Sequence, residues 1–302
     1  MIKTVSRILE IGAALLLVGT FFFTSTSNAF ADSLVKGIYI TQSTMEDTPY
    51  LNYLIQHSKA LGISTFIIDL EKPDKKYHQN LALLKQNGIN YVARIIMFPG
   101  GGTKAQITTP AIWQKKYALV QQAVDWGASQ IQLDYIRYNT LQPGTAQNAR
   151  DIHEIIKWYK AKLDTQRIPL QLDVFGIASY GPSIYIGQDI KLFSQSANVI
   201  CPMVYPSHFE PFRQHAIAPY DTIHEALDAL RDQFEEDKLP FKLYPYIELS
   251  NYRYPLSHQK RLEYILAEIH AAEDAGADGW YVWSPHNEYD PLFEVLENNK
   301  VK

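Results

Sequence analysis

The chain has 302 residues, 46% of them apolar and 20% charged, with a formal net charge of −4. That length is large for one ordinary domain but fits a single α/β barrel, and the apolar fraction supports a full-sized core. The mild acidity gives no electrostatic case for a nucleic-acid partner, and a single cysteine excludes a disulfide framework.

Residues 1–31 read as a signal peptide. Lys3 and Arg7 make a basic start, Ile11 to Phe23 an apolar run, and Ala29-Phe30-Ala31 a small-x-small cleavage site before Asp32. The apolar run is about 13 residues long, shorter than the roughly 20 needed to span a bilayer. Glu10 at its edge leaves an uncleaved anchor as the other reading. The expectation is an exported protein, periplasmic or secreted, with residues 32–302 as one domain and no stable membrane insertion after cleavage. Losing Lys3, Arg7 and Glu10 removes one net positive charge and leaves −5.

From Val35 onward, β-like runs alternate with helix-like segments. Strands are predicted at 37–41, 65–70, 91–98, 130–136, 170–175, 199–205, 242–249 and 279–284. The stretches between them show helical spacing, as in Leu51, Leu54, Ile55 and Ser58 ahead of Gly62. The same holds for Tyr117, Val120 and Val124 between Pro110 and Gly127, and for Leu262, Ile265, Ile269 and Ala272 ahead of Gly276. Eight such units predict a closed (β/α)8 TIM barrel, with its working face at the C-terminal rim. A doubly wound open sheet is the rival, disfavoured by the regular units and the lack of a glycine-rich dinucleotide loop. Pro99-Gly100-Gly101-Gly102 follows the third strand and reads either as a mobile lid or as a plain flexible connection.

Two consecutive strands end in the same triplet, Gln132-Leu133-Asp134 and Gln171-Leu172-Asp173. Side chains alternate along a strand, so each glutamine shares a face with its aspartate while the leucines face the helices. Asp69 ends the second strand, Arg94 lies inside the third, Tyr205 ends the sixth, and Tyr244, Tyr246 and Glu248 share one face of the seventh. Tyr281 and Trp283 do the same in the eighth.

This inventory suits glycoside hydrolysis, in which two carboxyl groups flank the scissile bond. Close carboxylates raise one another's pKa, so one of them can serve as the acid. Aromatic rings match the apolar faces of sugars. Asp134 and Asp173 are the leading catalytic candidates, and Glu248 is the third. Asp69, Arg94, Arg137, Tyr205, His208, Tyr246 and Trp283 are candidate substrate contacts. Each has a plainer reading: Asp134 as an ion-pair partner of Arg94 or Arg137, Asp173 as a capping or arginine-pairing group, Glu248 as a rim residue holding a loop, Asp69 as part of the charge run with Glu71, Lys72 and Asp74. Tyr205 and Trp283 can be barrel-top packing. Asp278, just before the eighth strand, reads as a turn residue, and Trp113, Trp126 and Trp158 as helical core.

Other chemistries find no support. The nine histidines form no HxH or HExxH pair, and there is no Gly-x-Ser-x-Gly elbow, Walker loop or GxGxxG. Cys201 sits within a predicted strand with nothing beside it to lower its pKa, so a catalytic thiol is disfavoured. No metal or cofactor is expected.

Taken in order, Ile131-Gln-Leu-Asp-Tyr-Ile-Arg-Tyr138, Asp173-Val-Phe-Gly176, Ile186-Gly-Gln-Asp-Ile190, Cys201-Pro-Met-Val-Tyr-Pro-Ser-His208 and Gly276-Ala-Asp-Gly-Trp-Tyr-Val-Trp-Ser-Pro285 resemble a bacterial domain-of-unknown-function family grouped with the glycoside hydrolases. Val35-Lys-Gly-Ile-Tyr39 and Ala93-Arg94-Ile95 fit its first and third strands. The resemblance spans nearly all of residues 35–290. It implies a TIM barrel distantly similar to the α-galactosidase-like superfamily, whose strand-four nucleophile maps onto Asp134. That group's strand-six acid has no counterpart here before Glu210, so Asp173 or Glu248 must supply it. Strand seven also departs, with Glu248-Leu249 where the family tends to have Gln-Asp. Chitinase-like enzymes share a loose Met-x-Tyr and a late tryptophan, but their acidic strand-four run is missing. The expectation is hydrolysis of a poly- or oligosaccharide; the alternative is a catalytically inactive carbohydrate-binding barrel of the cell envelope. Neighbouring strands lie about 4.8 Å apart, so Asp134 and Asp173 can reach the roughly 5–5.5 Å separation of retaining enzymes.

Overall fold

The computed structural model describes residues 34–299 apart from 142, 235–237 and 251; the segment 1–31 expected to be a signal peptide lies outside the described residues. A single parallel sheet closes on itself. Its strands are β1 (Val35–Ile40), β2 (Thr65–Asp69), β3 (Asn90–Ile96), β4 (Gln130–Asp134), β5 (Leu170–Phe175), β6 (Val199–Met203), β7 (Lys242–Leu243), β8 (Tyr246–Glu248) and β9 (Gly279–Trp283). β1 to β6 pair in sequence order, β6 pairs with both β7 and β8, β8 pairs with β9, and β9 returns to β1. The result is a (β/α)8 TIM barrel, as the alternating pattern predicts.

Strand seven was expected to be continuous, but β7 and β8 are its two halves. Pro245 has no N–H to give to the ladder, which breaks the strand there. Closure survives because the Tyr244 N–H donates to Ile200 at 3.1 Å and the Tyr281 N–H donates to the Pro245 carbonyl at 2.9 Å.

The outward faces of the strands, among them Ile131, Leu133, Leu170, Leu172 and Val174, are buried under the helices. Helix Thr48–Ala60 buries Leu51, Leu54, Ile55 and Ser58, and helix His258–Asp274 buries Leu262, Ile265, Ile269 and Ala272. The segment after Pro110 forms two short helices, Pro110–Gln114 and Tyr117–Asp125; Val120 and Ala123 are buried, while Tyr117 and Val124 are only half-buried. Trp113 and Trp158 meet edge-to-face in this layer, 5.4 Å apart. Among the described residues, no helix is long and apolar enough to cross a membrane.

Inside the barrel, the glutamines of the two triplets build a polar floor. Gln132 Nε2 donates to Gln171 Oε1 at 3.0 Å, Gln171 Nε2 donates to the Tyr281 hydroxyl at 3.1 Å, and the Tyr246 hydroxyl donates to Gln132 Oε1 at 3.0 Å. Buried amides bonded in this way hold their rotamers. Cys201 lies beside them, fully buried, and burial pushes its thiol pKa well up.

The glycine loop after β3 is a packed connection. The Gly102 N–H donates to Arg137 O at 2.8 Å, and Asn139 N–H returns to Gly102 O at 2.9 Å. Gly101 has φ 95°, and a Cβ there would sit 2.6 Å from the Tyr138 carbonyl oxygen. Only glycine meets both demands.

Candidate active site

Strand register brings the predicted carboxylates together at the C-terminal rim. Asp69 on β2 lies level with Arg94 on β3. Leu133 on β4 pairs with Leu172 on β5, so the next residues, Asp134 and Asp173, end neighbouring strands side by side. The Arg94 guanidinium then meets all three acids: Nη1 binds Asp69 Oδ1, Nη2 binds Asp134 Oδ2, and Nε lies 3.5 Å from Asp173 Oδ2. The Tyr39 hydroxyl donates to the other oxygen of Asp69 at 2.5 Å, and its ring lies 5.1 Å from the guanidinium carbon.

One cation among three acids divides their chemistry. Burial lowers the pKa of Arg94, but the charges of Asp134, Asp69 and Asp173 more than offset this and raise it well above its ordinary value. Asp173 is 2% exposed. Burial first, and the neighbouring Asp134 charge second, push its pKa well above the usual carboxylate range despite Arg94. Its Oδ1 has no hydrogen-bond partner. In Asp134 both oxygens accept, one from Arg94 and the other from the Tyr135 N–H. Tyr135 has φ 50°, the left-handed region that a bulky residue rarely occupies. This turn at the end of β4 aims its N–H back at the preceding carboxylate, and strain of this kind concentrates at functional sites.

Above these groups opens a cleft of about 820 Å³, within the range of small-molecule sites. Arg94, Asp134 and Asp173 reach its base. Tyr205 and Trp283 stack in one wall, with centroids 5.2 Å apart and planes 23° from parallel. Phe175, Tyr180, Phe209, Tyr246 and His208 also line the cleft.

Three predicted residues do not line it. Asp69 is buried behind Arg94. Arg137 is half-buried; its Nη1 donates to Tyr138 O at 2.9 Å, and its guanidinium packs 4.9 Å from the Phe175 ring. Glu248 is fully buried and turns to the loop after β6, accepting from the Ser207 N–H at 2.8 Å and the Ser207 hydroxyl at 2.7 Å. Its own N–H donates to Glu268 at 3.3 Å. Burial pushes Glu248 up to about 8 against the Ser207 bonds and Arg253, which act to lower it. Asp278 holds the turn before β9, accepting from Lys242 and from the Leu243 N–H at 2.7 and 2.9 Å.

Sequence reasoning left out several lining residues, among them Tyr39, Tyr135, Phe175, Tyr180 and Glu225. Strand alternation reaches Tyr39 (in phase with Gly37 and opposite to Ile38) and Phe175 (in phase with Asp173). Glu225 projects from helix Pro219–Asp232, where no strand pattern points to the cleft.

A closed parallel barrel whose rim joins adjacent acids to aromatic walls defines a TIM-barrel protein of the glycoside hydrolase type. The chain belongs to the family described as "Putative glycosyl hydrolase domain", whose model matches residues 103–289, more than half of its length. Solved structures agree on the fold. The spore cortex-lytic enzyme SleL of Bacillus megaterium QM B1551 is 13% identical with a TM-score of 0.63, over 88% of this chain and 73% of that one. A chitinase from Chromobacterium violaceum is 11% identical with a TM-score of 0.61, over 89% of this chain and 100% of that one. The endo-beta-1,4-mannanase of Thermotoga petrophila is 11% identical with a TM-score of 0.60, over 88% and 75%. A comparison with curated proteins finds no match.

Proposed function

We propose that the protein hydrolyses a glycosidic bond in a poly- or oligosaccharide, with Asp134 as nucleophile and Asp173 as general acid. The observation that carries this is the pair itself: two acids on adjacent strands, joined through Arg94, with Asp173 held toward its protonated form by burial and by Asp134. Neighbouring strands lie about 4.8 Å apart, which favours the roughly 5–5.5 Å separation of retaining enzymes over the wider inverting spacing. Asp173 protonates the leaving oxygen while Asp134 attacks the anomeric carbon. Asp173, now ionised, then draws the proton from water as the glycosyl ester breaks. Tyr205 and Trp283 offer stacked faces to the sugar, and Arg94 orients both acids from below. Glu248, turned toward Ser207, serves by fixing the loop that carries His208. We also propose export through residues 1–31.

Reducing-end release from a panel of polysaccharides, with Asp134→Asn alongside, tests the reading. The expected loss in kcat is about a thousandfold or more with the fold intact, and wild-type-like turnover in the variant overturns the assignment. Saccharide binding without turnover in the wild type points instead to a carbohydrate-binding barrel.

A further inference from the structure

Among the described residues, the large apolar side chains left exposed gather at the C-terminal ends of β4, β5 and β6 and in the loops that follow, from Leu141 to Ile217; only Leu34, Tyr53 and Ile112 lie elsewhere. Most of them belong to the stretch 175–188, which holds no charged side chain in a chain that is 20% charged. Apolar exposure concentrated on one rim marks a binding surface.

This surface is held in place from below. Residues Gly176–Tyr180 form one short 3-10 segment, in which side chains three apart eclipse one another. Ile177 and Tyr180 therefore share its outer face, 55% and 48% exposed, while Ala178 and Ser179 are fully buried. Gln233 Nε2 donates to the Ser179 carbonyl at 2.7 Å, and the Phe175 N–H donates to Gln188 Oε1 at 2.8 Å. The Phe209 ring presses on Gly176, where a Cβ would sit 2.5 Å from Phe209 Cζ. The same ring meets Tyr180 nearly at right angles, with centroids 6.2 Å apart. Phe175, Ile177, Tyr180 and Phe209 all line the cleft that holds Asp134 and Asp173.

These four side chains suit a hydrocarbon better than a sugar ring. Tyr205 and Trp283 already offer stacked flat faces for the sugar. Ile177 has neither a flat face nor a hydrogen-bonding group, and the Arg137 guanidinium already lies over the Phe175 ring, 4.9 Å from its centre. A protein partner or a second copy seated here would shut the cleft that these side chains line, whereas a substrate covers them while the reaction proceeds. Glu210 and Glu225 line the cleft as well, both exposed, and repel an anionic linker such as a phosphate.

Resting on the glycoside hydrolase reading, we propose that the substrate is a saccharide joined to an uncharged hydrocarbon chain. The chain lies on Phe175, Ile177, Tyr180 and Phe209, and the sugar lies on Tyr205 and Trp283 above the carboxylates.

Calorimetry tests this without relying on turnover. The purified protein is titrated with butyl, hexyl and octyl glycosides of glucose, galactose and N-acetylglucosamine, each below its micellar concentration. A fully buried methylene is worth about fourfold in affinity. With the added methylenes only partly buried, octyl glycosides should bind about tenfold tighter than butyl ones, or better. The gain should vanish in Ile177→Ser/Tyr180→Ser, both exposed positions, and persist in Ile177→Leu. No binding of any octyl glycoside, no gain with chain length, or a gain that survives in the double variant overturns the proposal. So does self-association of the wild type, seen by light scattering and lost in the double variant, which would assign the face to a second copy. Hydrolysis lost in Asp134→Asn tests the hydrolase reading and stands apart from these outcomes.

Discussion

At Arg94 one guanidinium meets three largely buried carboxylates at the base of the cleft, and its removal leaves acids facing one another. Arg94→Met should therefore destabilise the fold by about 3–5 kcal/mol, the cost of stranding buried charge, as read by urea denaturation at neutral pH. A loss below about 1 kcal/mol would mean that solvent reaches these acids. The same cluster sets the pH dependence of turnover. Asp173 must be protonated to act as the acid, and its raised pKa extends activity above the range of an ordinary aspartate, near 3.9. The alkaline limb of the kcat/KM profile should belong to Asp173. Lys242→Met, far from the rim, should leave that limb in place, while Arg94→Lys, which presents a point charge instead of a fork, should move it.

Among the elements, the loop after β6 depends on a buried acid. Glu248 accepts twice from Ser207 and sits against Glu268, whose pKa burial and the Glu248 charge also raise. Both acids hold protons in the folded state over a range where the unfolded chain has released them. Their contribution to stability is thus complete below about 4.5 and declines as pH climbs toward about 8 for Glu248, by at most about 1.4 kcal/mol per pH unit for each proton. Melting temperatures at pH 5 and pH 8 should differ less for Glu248→Gln than for the wild type; identical differences would refute this account. At the glycine loop, Gly101→Ala should cost about 1–3 kcal/mol through its left-handed backbone and the clash with Tyr138 O, measured by thermal unfolding.

The elements also show how far strand phase carries from sequence to site. Alternation in Gln132-Leu133-Asp134 and Gln171-Leu172-Asp173 placed both acids on the inner face, and the register set them side by side. The same rule put Glu248 in phase with Tyr246, yet phase does not say which neighbour a rim side chain will choose. Ser207, supplied by a loop 41 residues away, settles it. Strand seven was expected to run unbroken over 242–249, but Pro245, with no N–H for the ladder, splits it into β7 and β8. Glu225 belongs to a helix whose pattern records only its buried face, so its position at the cleft had no signature.

At the scale of the whole molecule, the proposed leader makes a simple prediction. The intact mass of protein recovered from the culture medium or periplasm should correspond to a chain starting at Asp32, and a mass that includes residues 1–31 would favour an uncleaved anchor. The seam between β1 and β9 adds a constraint of timing. Val35 lies level with Gly279 and Ile38 with Val282, so the first strand to be made waits for the last before the ring can shut. During synthesis β1 keeps one edge unpaired and the core stays open, and every strand must arrive before any copy is complete. A chain built this way remains threadable until its synthesis is almost finished, which would suit the export proposed through residues 1–31.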